Sequence, residues 1–356
     1  MSESGRSSRG SAALRIAGLA AGGLAIGALT AVELRHRRAL ASDPEWARLC
    51  SPLTLRGAQV TSRDGTLIHV ETLGDGNGPT FVLAPGWTEE ILLWGPVARG
   101  LVDRGFRVVV YDLRGQGASG LAPAGDYTLA RYGEDLEAVL VAAAEGPADR
   151  ELIVAGHSLG GMSIVAWAAA HSPGSRVRAA ALVNSAVAGV ISESGVLWGR
   201  VPAAVQRWLG VHLILNNPAP RPPVANALNR SLLRSLAFGP HATEAQVSLL
   251  EHMQSSCPTD VRIAAGRSIA SMDLSWALSR LTVPTMVIAG ELDLLLPPVH
   301  SERMAAALPG LVDLVMVPET GHLSPLEASD RVVDELARLA DAALSEAAPQ
   351  GSSGTR

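Results

Sequence analysis

The chain has 356 residues, of which 47% are apolar, 18% charged and 4% aromatic, with a formal net charge of −5 at pH 7. That length and apolar content allow one large domain with additions, or two ordinary ones, around a sizeable core, and they exclude a disordered or collagen-like chain. Every one of the 29 basic residues is arginine, scattered along an acidic chain; no nucleic-acid partner is expected. The two cysteines, Cys50 and Cys257, belong to no CxxC or zinc spacing, so neither a metal nor a cofactor is expected from them.

Residues 1–50 read as an N-terminal extension. Ile16 to Val32 carries no charge, and three arginines flank it on each side. Its length is at the low end for a membrane-spanning helix. Gly18/Gly22 and Gly23/Gly27 have the small-xxx-small spacing that lets two such helices approach closely. The segment therefore reads as an uncleaved anchor making membrane contact through residues 16–32. A secretory signal peptide is the competing reading, although the small-x-small site Ala39-Leu40-Ala41 lies beyond an arginine cluster. The tied arginine count leaves orientation open.

From residue 57 the chain alternates β-rich runs with helical patterns, which predicts an α/β fold with a mostly parallel sheet. Gly57–Ser62 and Thr66–Thr72 read as a hairpin around Asp64-Gly65. Buried strands are expected at Thr80–Ala84, Arg107–Asp112, Glu151–Ala155, Ala179–Val183, Val283–Ala289 and Val312–Val317. Helices are expected near 89–104, 128–145, 159–171, 299–308 and 325–345. Residues 186–275 break this rhythm. They hold amphipathic pieces at Val224–Phe238 and Thr243–Ser256 and prolines at 218, 220, 222 and 223. This stretch is expected to be a helical cap inserted between two core segments, 55–185 and 276–345. Residues 346–356 are expected to form a disordered tail.

The chemistry-bearing pattern is Gly156-His157-Ser158-Leu159-Gly160, a G-x-S-x-G sequence between a strand run and a helical run. A sharp strand-to-helix turn there exposes the serine oxygen. Serine is a weak nucleophile and needs a base, itself oriented by a carboxylate. His322, in a short loop after the last strand run, is the candidate base. Asp293, after the preceding strand run, is the candidate acid, with Glu291 as fallback. Both are expected at strand C-terminal ends, where open α/β sheets place their sites. An oxyanion hole needs two backbone N–H donors. Leu159 and Trp87, the latter in the loop Pro85-Gly86-Trp87-Thr88, are the candidates.

With its elbow GHSLG, the segment Tyr111–Ser119, the loop before Trp87 and the motifs around Asp293 and His322, the sequence resembles the α/β-hydrolase superfamily over roughly residues 55–345. The esterase, lipase and cofactor-free peroxidase-like members are the most similar. The resemblance implies an eight-stranded sheet with helices on both faces, a helical cap after the sixth strand, and a triad of Ser158, Asp293 and His322. Many members have His-Gly where this chain has Pro85-Gly86; proline lacks an N–H, but the donor position lies two residues later.

The run Gly115–Gly120 formally fits G-x-G-x-x-G, but Pro123 and Gly125 interrupt the helix a dinucleotide site requires. Glu89 and Glu90 read as helix N-terminal carboxylates, His157 as a packing residue and His300 as a surface one. The expected activity is hydrolysis of a small-molecule carboxylic ester, made lipophilic by a cap rich in Trp198, Trp208, Leu213 and Leu215. Acyl transfer, C–C bond hydrolysis and perhydrolysis use the same triad, and a non-catalytic binding protein is the remote alternative.

Overall fold

The computed structural model describes residues 30–54, 57–76, 78–145, 151–171, 176–194 and 227–347. Eight strands form one sheet: β1 (Ala58–Thr61), β2 (Leu67–Leu73), β3 (Thr80–Ala84), β4 (Arg107–Tyr111), β5 (Leu152–His157), β6 (Val177–Val183), β7 (Thr285–Gly290) and β8 (Leu311–Val317). Their order is β1-β2-β4-β3-β5-β6-β7-β8. The β1–β2 and β2–β4 pairs are antiparallel, and every other pair is parallel. β3, β5 and β7 are buried along their whole length, and their sequences are accordingly mostly apolar.

Helices cover both faces. On one lie α3 (Leu129–Ala143), α4 (Leu159–Ala170) and α8 (Pro298–Ala307). On the other lie α2 (Gly95–Asp103) and α10 (Ser329–Ala347). The short α1 (Pro44–Leu49) precedes the sheet and is capped by Asp43, which accepts from Glu45 N and Trp46 N. Within 186–275, the described residues hold α5 (Ala227–Ala237), α6 (Glu244–Ser256) and α7 (Thr259–Ser271). A single bridge between Ala188 and Asp273 joins the two ends of this insertion. Its helices lie over the C-terminal ends of the strands. Trp87 Nε1 donates to Arg262 O of α7, and Ala237 O of α5 accepts from His322 N.

Residues 30–41 are helical and dock on the insertion. Arg230 of α5 sits between Glu33 and Glu251 at 2.9 and 3.0 Å, all three buried. His36 Nε2 lies 3.1 Å from Ser248 Oγ. Apart from Thr30, Ala31 and Val32, the apolar segment 16–32 lies outside the described residues. Among the described residues no helix is long and apolar enough to cross a membrane. Trp198, Trp208, Leu213, Leu215 and the tail from residue 348 also lie outside them.

One minor reading changes here, and one holds. His300 is buried rather than on the surface. The Gly115–Gly120 run forms a turn closed by Gly115 N to Gly120 O, and the next helix starts only at Leu129. The arginine in front of it, Arg114, is fully buried and grips Asp135 with Nε and Nη2 at 2.7 and 2.6 Å and Asp64 at 2.9 Å. This fork pins the β4 loop to α3 and to the β1–β2 turn. Arg114→Met leaves Asp135 buried without its cation and is expected to cost about 3–5 kcal/mol. Adding Asp135→Leu is expected to recover most of that loss. Urea denaturation of both variants measures it.

Candidate active site

The site is built on the C-terminal edge of the sheet. Strands to one side of β5 run β6-β7-β8 and to the other β3-β4, so the chain reverses direction of travel between β3 and β5. Open α/β sheets leave a crevice at such a point. Ser158 leaves β5 on one side of it, and the Pro85–Thr88 loop leaves β3 on the other, brought together by the Ala84–Gly156 register.

Ser158 adopts φ 50°, ψ −115°, a conformation L-residues avoid. The turn is held by Ser158 N donating to Val183 O at 2.9 Å and Ser185 Oγ donating to Ser158 O at 2.8 Å. It is also tight: a Cβ on Gly156 would lie 2.3 Å from Gly160 C, and one on Gly160 would lie 2.3 Å from Ala84 O. Ser158 remains partly exposed at the head of α4. Thr88, Asn184 and Glu319 also have positive φ, and they follow β3, β6 and β8. Among the described residues, every strained non-glycine backbone therefore sits on the loops of this one edge.

Asp293 and His322 meet there, with His322 Nδ1 2.7 Å from Asp293 Oδ2. Both are buried. The carboxylate can only accept, so Nδ1 carries the proton and Nε2 is left with its lone pair. Asp293 is itself fixed by Asn184 Nδ2 at 3.0 Å and by the backbone N–H groups of Leu295 and Leu296 at 2.9 and 2.8 Å. Asn184 also donates to Gly321 O at 3.1 Å and accepts from Ser324 Oγ. Burial alone would push the His322 pKa down. The charge and hydrogen bond of Asp293, helped by Glu89 and Glu327, outweigh that and hold it above the usual histidine value.

The loop carrying His322 is clamped by Glu327 of α9 (Ser324–Glu327). Its carboxylate accepts from Gly321 N, Leu323 N and Gly239 N, the last just beyond α5. This one half-buried carboxylate thus ties two N–H groups of the His322 loop and one of the insertion into one unit.

The Pro85–Thr88 loop is similarly constrained. Gly86 N donates to Glu89 Oε2, Thr88 N to Gln116 Oε1, and Glu89 N to Gly86 O. Among the described residues, Trp87 N–H has no acceptor. Gln116 Nε2 holds Gly86 O at 3.1 Å. Because C=O and N–H point in opposite directions across a trans peptide, that bond turns Trp87 N–H to the other side. Leu159 N–H opens α4 and likewise has no acceptor among the described residues, as a first-turn donor should. Glu291 N is used by Val317 O in the sheet edge, and no bond links its carboxylate to His322.

The sequence reading missed Gln116, Asn184 and Glu327 and misassigned Glu89. Glu89 is no helix-capping carboxylate, since it turns back to Gly86 and His157. Nor is His157 a mere packing residue, because both its ring nitrogens make polar contacts. Among the described residues, no group of three or more His, Cys, Asp or Glu side chains is arranged to hold a metal ion.

Known proteins share this fold. The family described as alpha/beta hydrolase fold matches residues 79–329. A pimeloyl-[acyl-carrier protein] methyl ester esterase of Stenotrophomonas maltophilia is 31% identical over 79% of this chain and 98% of its own length. A putative carbamate hydrolase, RutD, of Variovorax paradoxus is 27% identical over 72% of this chain and 89% of its own. Among solved structures, a hydrolase from Pseudomonas aeruginosa superposes with a TM-score of 0.64 at 26% identity, covering 80% of this chain and 98% of that one. The chain belongs to the alpha/beta hydrolase family, as an enzyme of the carboxylic ester hydrolase type.

Proposed function

We propose that the protein hydrolyses a carboxylic ester through an acyl-enzyme, with Ser158 as nucleophile, His322 as base and Asp293 as the group that orients it. The observation that carries this reading is the 2.7 Å Asp293–His322 bond on the edge where Ser158 is held in its strained turn. In this scheme Ser158 Oγ attacks the ester carbonyl while His322 Nε2 takes its proton. The oxyanion is met by Trp87 and Leu159 N–H. Collapse breaks the C–O bond, and His322 returns the proton to the departing alkoxide. Water then attacks the acyl-enzyme, again giving a proton to His322, which passes it back to Ser158 as the acid leaves. The methyl ester esterase among the relatives supports the ester over the other acyl chemistries.

We further propose that the ester is lipophilic and that residues 16–32 hold the enzyme at a membrane. The support is compositional: an uncharged run from Ile16 to Val32, and Trp198, Trp208, Leu213 and Leu215 in the insertion. kcat/KM is expected to rise with acyl length across a p-nitrophenyl ester series. The full chain, but not one lacking residues 1–29, is expected to sediment with lipid vesicles. A flat series, or equal sedimentation, contradicts this part.

Ser158→Ala is expected to lower kcat on a short p-nitrophenyl ester by about 10³-fold or more. Undiminished turnover would show the nucleophile to be elsewhere. The base must be neutral to accept a proton, so activity falls as pH drops through the His322 pKa. Because that pKa is raised, the acid limb of kcat/KM is expected above the ordinary histidine value of about 6.5. Asp293→Asn removes the main raising interaction. It is expected to shift that limb to lower pH while lowering kcat by about 10⁴-fold.

A further inference from the structure

Beneath the site lies a buried pair that the scheme above does not use. Glu89 and His157 are 3% and 0% exposed. Glu89 Oε2 accepts from Gly86 N and also lies 2.8 Å from His157 Nδ1. His157 Nε2 lies 2.7 Å from the backbone carbonyl of His322. A carbonyl only accepts, so Nε2 carries a hydrogen, and one further hydrogen lies between Nδ1 and Oε2. The two imidazole rings are 4.8 Å apart between centroids. An unbroken path thus runs from the N–H of Gly86, the residue before Trp87, through Glu89 and His157, to the backbone of His322.

We propose that Glu89 and His157 are positioning residues that lock the oxyanion loop to the base loop, so that the donor at Trp87 and the imidazole of His322 keep one fixed separation during turnover. The proposal rests on the hydrolase reading above. The physical reason is that the two loops leave different strands, β3 and β8, at some distance across the sheet edge. Each is fixed locally, one by Gln116 and the other by Glu327. Local fixing sets each loop's shape but not the distance between the two, and the Glu89–His157 strut supplies that link. The chemistry needs both groups at once, since the oxyanion forms as the proton moves to His322. Close packing leaves the strut little slack. A Cβ on Gly86 would lie 2.5 Å from Glu89 Oε2 and 3.1 Å from His157 Nδ1.

The role depends on one oxygen doing two things. A glutamine at 89 can set its oxygen or its nitrogen at that corner, but not both. The oxygen keeps Gly86 N–H and faces the imidazole lone pair; the nitrogen keeps the imidazole and faces Gly86 N–H. The near-isosteric Glu89→Gln therefore breaks the strut without changing its volume. His157→Gln breaks it from the other end, and Gly86→Ala pushes on it directly.

The test compares Glu89→Gln, His157→Gln, their double variant and Gly86→Ala with wild type on a short p-nitrophenyl ester, with melting temperatures measured alongside. Each single variant is expected to lower kcat by about tenfold to a hundredfold, less than the loss of an oxyanion donor outright. KM is expected to stay within about twofold, since ground-state binding does not use the strut. The double variant is expected to lose no more than the worse single one, because both break the same link. A kcat near wild type in folded Glu89→Gln, or a double variant whose loss is the product of the singles, overturns the proposal. If His157→Gln fails to fold, Glu89→Gln and Gly86→Ala decide it by the same kcat criterion. Failure of the hydrolase reading shows separately, as a wild type that does not turn the ester over or a Ser158→Ala variant that still does, and it removes this role too.

Discussion

The backbone of Ser158 is the constraint on which the rest of this edge depends. Holding a non-glycine residue at positive φ costs on the order of 1–3 kcal/mol, and it persists only where surrounding structure over-determines it. Here that structure is plain. The β6 strand accepts the Ser158 N–H, Ser185 holds its carbonyl, and α4 leaves directly from it, close enough to β3 that only glycine fits at 156 and 160. These features project the hydroxyl out of a sheet that is otherwise closed on both faces.

Those groups are held by a polar framework buried under the edge. Asn184 ties Asp293 to the Gly321 carbonyl, Glu327 ties both neighbours of His322 to the insertion, and Gln116 turns the Gly86–Trp87 peptide. A charge or amide buried in this way is costly unless its partners are satisfied, so each member constrains the next. The insertion is part of the same framework, since Ala237, Gly239 and Arg262 all bond to active-edge residues. The buried Glu33–Arg230–Glu251 cluster extends it to the helix at residues 30–41. The N-terminal helix is thereby anchored to the insertion.

The sheet was legible in the sequence because buried parallel strands need unbroken apolar runs, and such runs as TFVLA and ELIVA have few other readings. The strand bounds agree within a residue or two at most ends. β6 begins at Val177, two residues before the expected Ala179, because the half-exposed Arg178 interrupts the apolar pattern there. The helix expected from residue 89 begins as a 3₁₀ turn at Ile91, since the Glu89 side chain is spent on Gly86 and His157 instead of on a helix cap. The site was only partly legible, for a related reason. Ser158, Asp293 and His322 sit in short glycine-marked loops at strand ends, where local pattern gives their place. Glu89, Gln116, Asn184 and Glu327 act across 28 to 140 residues of chain or through a turn that no local pattern encodes. Their polar side chains look like ordinary surface residues until the strands bring their partners alongside.

The central claim is that Ser158 is the group this framework exists to present. Covalent capture tests it most directly. The full chain is treated with a fluorophosphonate, digested, and the adduct located by mass spectrometry. The account predicts a single adduct on the peptide containing Ser158, formed more slowly in Asp293→Asn. An adduct on another residue, or none on the wild-type protein, would contradict it.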